Sequence, residues 1–335
     1  MPARLKLWKT SLPIFPPSRS DVEGANCERP GRDKTGGSIQ RIAFVVILAI
    51  VAAGALVIWY SGGRTMTSTG ENRTTTSRDG TTIAFTKKGS GPPLVIVDGA
   101  FCYRENGPAT ELAKVLAQHF TVFTYDRRGR GESGDTEPYA VEREIDDLRA
   151  LAREAGPSLY AVGISSGGAL ILQAVASGVT VKKIALYEPP YGADGNDRRS
   201  FEDVKNRLQS LVSAGDRGGA VRFFMTNVYG APRPFVFAMP FLMPNAWRRN
   251  KLVVHTVPYD LTILEDRSVL KERSSSIAVP TLVIGGDKSP KALRDAVTAV
   301  ANALPNGHSR YLSGQDHNIS SGALAPVLFE YFGMS

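Results

Sequence analysis

The chain reads GISSGG at residues 163–168, between the apolar run LYAV and the longer apolar run ALILQAVAS. The short run predicts a strand, and the longer run predicts a helix. The segment matches the G-x-S-x-G pattern, in which glycines permit a tight strand-to-helix turn that exposes a serine hydroxyl. We therefore expect Ser165 to be a nucleophile. Ser166 is the rival residue, but only Ser165 occupies the centre of the pattern.

Short β-branched runs alternate with helix-length segments from residue 73 to the end of the chain. This alternation predicts an α/β fold with a mostly parallel, doubly wound sheet covered by helices. Asp79-Gly80 predicts a hairpin ahead of the parallel part. Further strands are predicted at 93–97, 121–125, 159–162, 183–187, 280–284 and 309–312, and helices at 109–118, 139–154 and 324–332.

A serine nucleophile needs a general base, and His308 and His317 are the histidines that follow the later strands. His308 enters the last strand, whereas His317 follows it, at the carboxyl edge where Ser165 is expected. Because reactive groups of open α/β sheets gather at this edge, we expect His317 to be the base. His119 and His255 are interpreted as structural or surface residues.

The imidazole of a catalytic histidine needs a carboxylate to orient it. Asp287 comes just after the predicted strand that ends at Ile284, and we expect it to be that acid. A turn-forming role is the alternative for Asp287, because Gly-Asp pairs are common in turns. The fallback acids are Asp260, Glu265 and Asp266.

With Ser, acid and His in this order, residues from about 73 to the C-terminus resemble the α/β-hydrolase family. A second stretch, DRRGRGESG at residues 126–134, resembles that family's loop after its fourth strand. The same stretch matches G-x-G-x-x-G, but its acids and Pro138 argue against dinucleotide binding. The resemblance implies an oxyanion hole made by the backbone N–H groups of Ala100 and Ser166. Asp98 stands where many relatives carry His, so the hole's neighbourhood departs from the family pattern.

About ninety residues separate the strands that end at Tyr187 and begin at Pro280, far more than an ordinary connection needs. We expect a helical cap at 192–275, inserted into a catalytic domain at 73–335. The insertion is rich in Phe and Met, which favours an apolar substrate. Phe101, Phe224 and Phe237 are the expected substrate-binding residues.

The N-terminal region divides into a disordered tail at 1–41, a transmembrane helix at 42–60 and a linker at 61–72. Residues 42–60 contain no charge and are long enough to cross the hydrocarbon core of a bilayer as a helix. Basic residues before this run favour a cytoplasmic N-terminus and an external catalytic domain. If translation starts at Met66 instead, the protein is expected to be cytoplasmic.

The net charge is +8, but residues 1–65 hold nine Lys/Arg and four Asp/Glu, which leaves only +3 for the rest. This distribution argues against nucleic-acid binding. Cys27 and Cys102 lie in no metal-binding spacing, and neither a metal nor a cofactor is expected. The sequence thus predicts a serine hydrolase of a small hydrophobic ester. Lactone, thioester or carbon-carbon bond hydrolysis, a non-catalytic binding protein and a membrane-tethered scaffold are the alternatives.

Overall fold

The computed structural model describes residues 70–191, 198–265 and 272–334. The predicted tail at 1–41 and the predicted transmembrane helix at 42–60 lie outside these residues. Within the described ranges, no helix is both long enough and apolar enough to cross a membrane.

Within the described residues, eight strands form one sheet in the order β1-β2-β4-β3-β5-β6-β7-β8. Strands β1 and β4 both pair with β2 in antiparallel fashion, and the remaining pairs are parallel. The prediction of a mostly parallel, doubly wound sheet is therefore confirmed. The strands are β1 (Glu71–Thr76), β2 (Thr82–Lys88), β3 (Pro93–Val97), β4 (Thr121–Tyr125), β5 (Tyr160–Ile164), β6 (Ile184–Tyr187), β7 (Thr281–Gly286) and β8 (Gly307–Leu312).

The described α-helices fall into two groups, those that cover the sheet and those inserted between β6 and β7. In chain order they are α1 (Pro108–Leu116), α2 (Val141–Ala155), α3 (Ser166–Ala176), α4 (Arg198–Ser213), α5 (Arg217–Asn227), α6 (Arg233–Leu242), α7 (Pro244–Val253), α8 (Val257–Glu265), α9 (Lys291–Ala303) and α10 (Ser321–Phe332).

Helices cover both faces of the sheet. The apolar sides of α2, α3 and α9 pack on one face, and those of α1 and α10 pack on the other. Because the central strands are then shielded on both sides, β5 and β7 are buried along their whole length. Continuous apolar runs such as those of β5 and β7 are typical of parallel strands enclosed in this way.

The insertion between β6 and β7 has its own apolar core. Buried side chains from α4 to α7, including Leu208, Val221, Met239 and Trp247, pack together there with Phe101 from the loop after β3. On α6, Val236 and Met239 face inward, whereas Phe241 is 85% exposed. The observed helices agree in type with a helical cap, while the boundaries at 192 and 275 stay a prediction.

Candidate active site

The turn after β5 holds Ser165 in a strained backbone conformation. Ser165 has φ 53° and ψ −127°, a backbone conformation that residues with a side chain rarely adopt. The Ser165 N–H donates to the carbonyl of Tyr187 at 2.8 Å, and its own carbonyl accepts from Gly168 N–H at 2.9 Å. Ser165 is half-buried, whereas its neighbours Ile164 and Ser166 are buried. The turn therefore presents Ser165 at the carboxyl edge of the sheet.

Glycines at this turn are required by close backbone approach. A Cβ on Gly163 would lie 2.5 Å from Gly168 Cα, and one on Gly167 would lie 2.2 Å from the Val97 carbonyl oxygen. Any side chain at either position would push α3 away from the sheet. The spacing of glycines in the sequence pattern thus follows from how tightly α3 packs on β3 and β5.

The imidazole of His317 is held by Glu188. His317 Nδ1 lies 2.8 Å from Glu188 Oε2, within hydrogen-bonding distance. Glu188 directly follows β6, and the preceding residue, Tyr187, accepts the hydrogen bond from Ser165 N–H. Tyr187 Oη also donates to the carbonyl of Asp316, next to His317. These contacts bring the loop after β8, the end of β6 and the Ser165 turn together.

The carboxylate of Glu188 is buried and fully engaged. Its second oxygen, Oε1, accepts from Gly286 N–H at 2.8 Å and from Ser289 Oγ at 2.5 Å. Burial raises the pKa of Glu188, but the hydrogen bonds from His317, Ser289 and Gly286 outweigh burial and bring the pKa below its usual value. Glu188 is thus an ionised, immobile acceptor for the His317 ring.

The expectation that Asp287 orients His317 needs correction. Asp287 is exposed at the end of β7, and its Oδ1 accepts from Gly314 N–H at 2.8 Å. It therefore fixes the start of the loop after β8, as a turn residue does. The sequence interpretation did not include Glu188 among the candidate acids, although its position directly after β6 also lies at the carboxyl edge.

The fallback acids lie elsewhere as well. Asp260 is buried on α8, where it accepts hydrogen bonds from Ser166, Arg127 and Arg130. Glu265 forms an ion pair with Lys205. Asp266 lies outside the described residues.

The two predicted oxyanion donors flank the Ser165 turn. Ser166 is the first residue of α3, and the first N–H groups of a helix have no acceptor within it. Ala100 follows Gly99, and a Cβ on Gly99 would lie 2.9 Å from Ser165 Cβ and 3.4 Å from its Oγ. Gly99 thus allows the loop after β3 to lie against the serine side chain.

Asp98 stands where the family pattern has His. Its carboxyl group is buried, and one of its two oxygens accepts a hydrogen bond. Its Oδ2 accepts from Ala109 N–H at 3.3 Å, and its Oδ1 has no hydrogen-bond partner among the described residues. Burial raises the pKa of Asp98 to about 7. Burial also raises the pKa of the nearby Cys102 thiol, which disfavours the thiolate that a cysteine nucleophile needs.

Arginines of the loop after β4 form a buried ion network that the sequence interpretation missed. Arg127 makes two hydrogen bonds with Glu144, at 2.7 and 2.8 Å, and one with Asp260 Oδ1 at 2.6 Å. Arg130 donates to Asp260 Oδ2 at 2.7 Å and to the Gly99 carbonyl at 2.6 Å. This loop therefore links the loop after β3 to helix α8.

The three predicted substrate-binding aromatics differ in position. Phe101 packs edge-on against Phe224, with ring centroids 5.1 Å apart, so the loop after β3 contacts the cap. Phe237 is 61% exposed, and the Arg222 guanidinium lies 5.5 Å above its ring. This position does not fit a role for Phe237 in lining a pocket, because α6 turns Val236 and Met239 inward instead.

Comparison with known proteins agrees with this architecture. A solved structure described as an alpha/beta hydrolase from Sphaerobacter thermophilus DSM 20745 is 43% identical, with a TM-score of 0.68; the match covers 78% of this chain and 100% of that one. The esterase RhEst1 from Rhodococcus sp. ECU1013 is 19% identical, with a TM-score of 0.57 and coverage of 78% and 98%, and supports the fold alone.

Sequence comparison identifies a curated relative and a family. The uncharacterized hydrolase YraK of Bacillus subtilis (strain 168) is 36% identical over 106 residues, which are 30% of this chain and 37% of that protein. The chain thus spans little more than a third of that relative's length. A model of the alpha/beta hydrolase family matches residues 90–325, well over half of the sequence. The chain therefore belongs to the alpha/beta hydrolase family of enzymes.

Proposed function

We propose that this enzyme is a serine hydrolase that cleaves a small, apolar carboxylic ester through an acyl-enzyme on Ser165. The hydrogen bond between His317 and Glu188, at the sheet edge that carries the strained Ser165 turn, is the observation that carries the proposal. A serine in a strained turn, a histidine and a buried acid are the groups that nucleophilic acyl transfer requires.

In the proposed mechanism, Ser165 Oγ attacks the ester carbonyl carbon while its proton passes to His317 Nε2. Glu188 accepts the Nδ1–H hydrogen bond, which fixes the tautomer and stabilises the imidazolium. The backbone N–H groups of Ala100 and Ser166 donate to the oxyanion of the tetrahedral intermediate. Its collapse transfers the His317 proton to the departing alcohol. Water, deprotonated by the same histidine, then attacks the acyl carbon and restores Ser165.

Support for an apolar substrate comes from the Phe101–Phe224 contact. Phe101 belongs to the loop that carries the predicted donor Ala100, and Phe224 belongs to the cap, so their contact joins the two with apolar surface. Apolar walls with few polar groups suit small hydrophobic ligands. Structures of similar fold include proteins named as esterases, such as RhEst1 and a thermophilic esterase from Thermogutta terrifontis.

The proposal is tested by labelling with a fluorescent fluorophosphonate, which reacts with activated serines. We expect the wild-type protein to be labelled at Ser165, and both Ser165→Ala and His317→Ala to lose the label. Intact mass and peptide mapping would locate the adduct. Labelling at Ser166, or an undiminished ester-hydrolysis rate in Ser165→Ala, would overturn the assignment.

For the N-terminal region, we propose that residues 42–60 anchor the enzyme in a membrane with residues 1–41 on the cytoplasmic side. Nineteen uncharged residues preceded by Arg29, Arg32, Lys34 and Arg41 support this arrangement. The full chain should resist extraction from membranes by alkaline carbonate, and a form lacking 42–60 should be released. Release of the full chain would contradict an anchor.

A further inference from the structure

The peptide group between Gly99 and Ala100 is oriented by Arg130. Arg130 Nη1 donates to the Gly99 carbonyl at 2.6 Å and to the Cys102 carbonyl at 3.2 Å. In a trans peptide the C=O and the following N–H point in opposite directions. A guanidinium that holds the Gly99 carbonyl therefore also sets the direction of the Ala100 N–H, one of the two predicted oxyanion donors.

The second predicted donor is held through its side chain. Ser166 Oγ donates to Asp260 Oδ1 at 2.7 Å, and both residues are buried. Because Ser166 is the first residue of α3, this hydrogen bond restrains the end of the helix that carries the donor N–H.

One carboxylate connects these two restraints. Asp260 Oδ2 accepts from Arg130 Nη2 at 2.7 Å, while Oδ1 accepts from Ser166 and from Arg127 Nη1. Arg127 also donates to the Asp98 carbonyl at 3.3 Å, one peptide before Gly99. Burial raises the pKa of Asp260, but the guanidinium groups of Arg130 and Arg127 outweigh burial and lower it, so the carboxylate is ionised.

We propose that Asp260 is a positioning residue that fixes both backbone donors of the oxyanion hole, through Arg130 on one side and Ser166 on the other. The inference rests on the proposed acyl-transfer function. The hydrogen bonds described for Asp260 do not reach Ser165, and Asp260 acts on the two donors through Arg130 and Ser166. Because α8 belongs to the insertion between β6 and β7, the cap supplies part of the support for the hole.

Donors aimed at the oxyanion stabilise the transition state more than they stabilise bound substrate. If the two backbone N–H groups no longer point at the oxyanion, kcat should therefore fall and KM should stay nearly unchanged. Removing one oxyanion donor outright costs about a hundredfold to a thousandfold in kcat in other hydrolases. For Asp260→Asn, which misdirects donors without deleting them, we expect a loss of about tenfold to a hundredfold.

The test uses the full chain and compares two inhibitors of the same shape. An aryl trifluoromethyl ketone forms an oxyanion adduct with a catalytic serine, whereas the matching methyl ketone binds mainly as the neutral carbonyl. Asp260→Asn should weaken the trifluoromethyl ketone by the factor lost in kcat/KM and leave the methyl ketone within about twofold. Equal weakening of both ketones would indicate a damaged pocket and overturn the inference.

Ser166→Ala keeps the proposal testable if Asp260→Asn fails to fold, since it removes one hydrogen bond and no charge. It should show the same selective pattern with a smaller loss, about threefold to tenfold. Unchanged kcat and trifluoromethyl ketone affinity in the folded variants would overturn the inference.

Asp147→Asn is the matched control. Asp147 is a buried acid on α2 that accepts two hydrogen bonds from Arg128, at 2.7 and 2.9 Å. Arg128 lies in the same loop as Arg127 and Arg130. The hydrogen bonds described for Asp147 do not reach the loop after β3. We expect this variant to be less stable, with kcat within about threefold of wild type; a loss of kcat as large as in Asp260→Asn would overturn the inference. Failure of the proposed function is recognised separately, because Ser165→Ala would then keep its activity.

Discussion

Glu188 Oε2 lies 2.8 Å from His317 Nδ1, although 129 positions separate the two residues in the chain. The contact joins the end of β6 to the loop after β8. Glu188 has φ 45°, so the chain leaves β6 in a backbone conformation that non-glycine residues seldom adopt. Strained residues of this kind cluster at functional sites, where the surrounding structure holds them in place.

Glu188→Gln should lower kcat by about a thousandfold to ten-thousandfold, because the amide no longer stabilises the imidazolium and favours the wrong tautomer of His317. Asp287→Asn is the matched control, since Asp287 bonds to Gly314 instead, and its kcat should stay within about threefold of wild type. Steady-state ester hydrolysis by both variants makes the comparison. The opposite ranking of the two variants would restore Asp287 as the acid.

Replacing Gly167 by Ala should destabilise the protein by about 3 kcal/mol or more, because a Cβ there would lie 2.2 Å from the Val97 carbonyl oxygen and neither backbone can yield cheaply. Gly322→Ala is a suitable control. It lies in α10, where the nearest atom to a Cβ is Ser320 Oγ at 3.6 Å, and helix propensity alone predicts a gain of up to about 1 kcal/mol. Urea unfolding of both variants gives the two free energies.

Stability should depend on pH through Asp98, whose pKa rises from 3.8 to about 7 on folding. Between these values the folded protein binds a proton that the unfolded chain has released, so the free energy of unfolding falls as pH rises. The contribution of Asp98 to the free energy of unfolding is fully present below about pH 4 and is lost by about pH 7. Asp98→Asn cannot ionise, so its free energy of unfolding should lack this pH dependence.

The expected gain of Asp98→Asn over wild type therefore grows from pH 4 to 7 and then levels off. At about 1.4 kcal/mol per pKa unit, the change across this range is at most about 4 kcal/mol. Urea unfolding of both proteins at several pH values measures it. A difference that does not vary with pH would show that Asp98 is ionised throughout.

Phe224→Ala should raise KM for aryl esters by about tenfold, the effect of losing roughly 1.4 kcal/mol of apolar contact next to Phe101. Phe237→Ala is the matched control, because it removes a phenyl ring of the same size from an exposed position on α6. It should leave KM within about twofold of wild type. Polar esters of similar size should respond less to the first change. Equal effects of the two substitutions would argue that Phe224 acts through cap stability alone.

Sequence patterns predicted the parallel sheet and the turn at Ser165 because both depend on local order along the chain. Runs such as the one in β5 are apolar throughout, and the glycines at 163 and 167 are required within a few residues of Ser165. Local order along the chain does not determine which acid contacts His317. Glu188 and Asp287 both follow strands, and only the path of the loop after β8 decides which carboxylate His317 meets.

The contact between Ser166 and Asp260 spans 94 positions and was equally out of reach from the sequence. Asp260 lies within the cap insertion, whose helices carry no pattern that specifies their placement over the sheet. In the sequence, Arg127 and Arg130 belong to the DRRGRGESG loop at 126–134, and nothing in that pattern indicates that they are buried. Their burial is a property of the packed molecule, in which each finds a carboxylate partner.

Burial of the ion pairs among Arg127, Arg130 and Asp260 affects how the enzyme should respond to high salt concentration. Mobile ions screen charges on the surface, with a Debye length of about 8 Å at physiological ionic strength, but they screen buried pairs much less. Arg127, Arg130 and Asp260 are each at most 2% exposed. The groups that hold the loop after β3, which carries the predicted donor Ala100, should therefore keep their attraction at high salt concentration. We expect catalysis to tolerate ionic strengths that weaken surface ion pairs such as Lys291–Asp295.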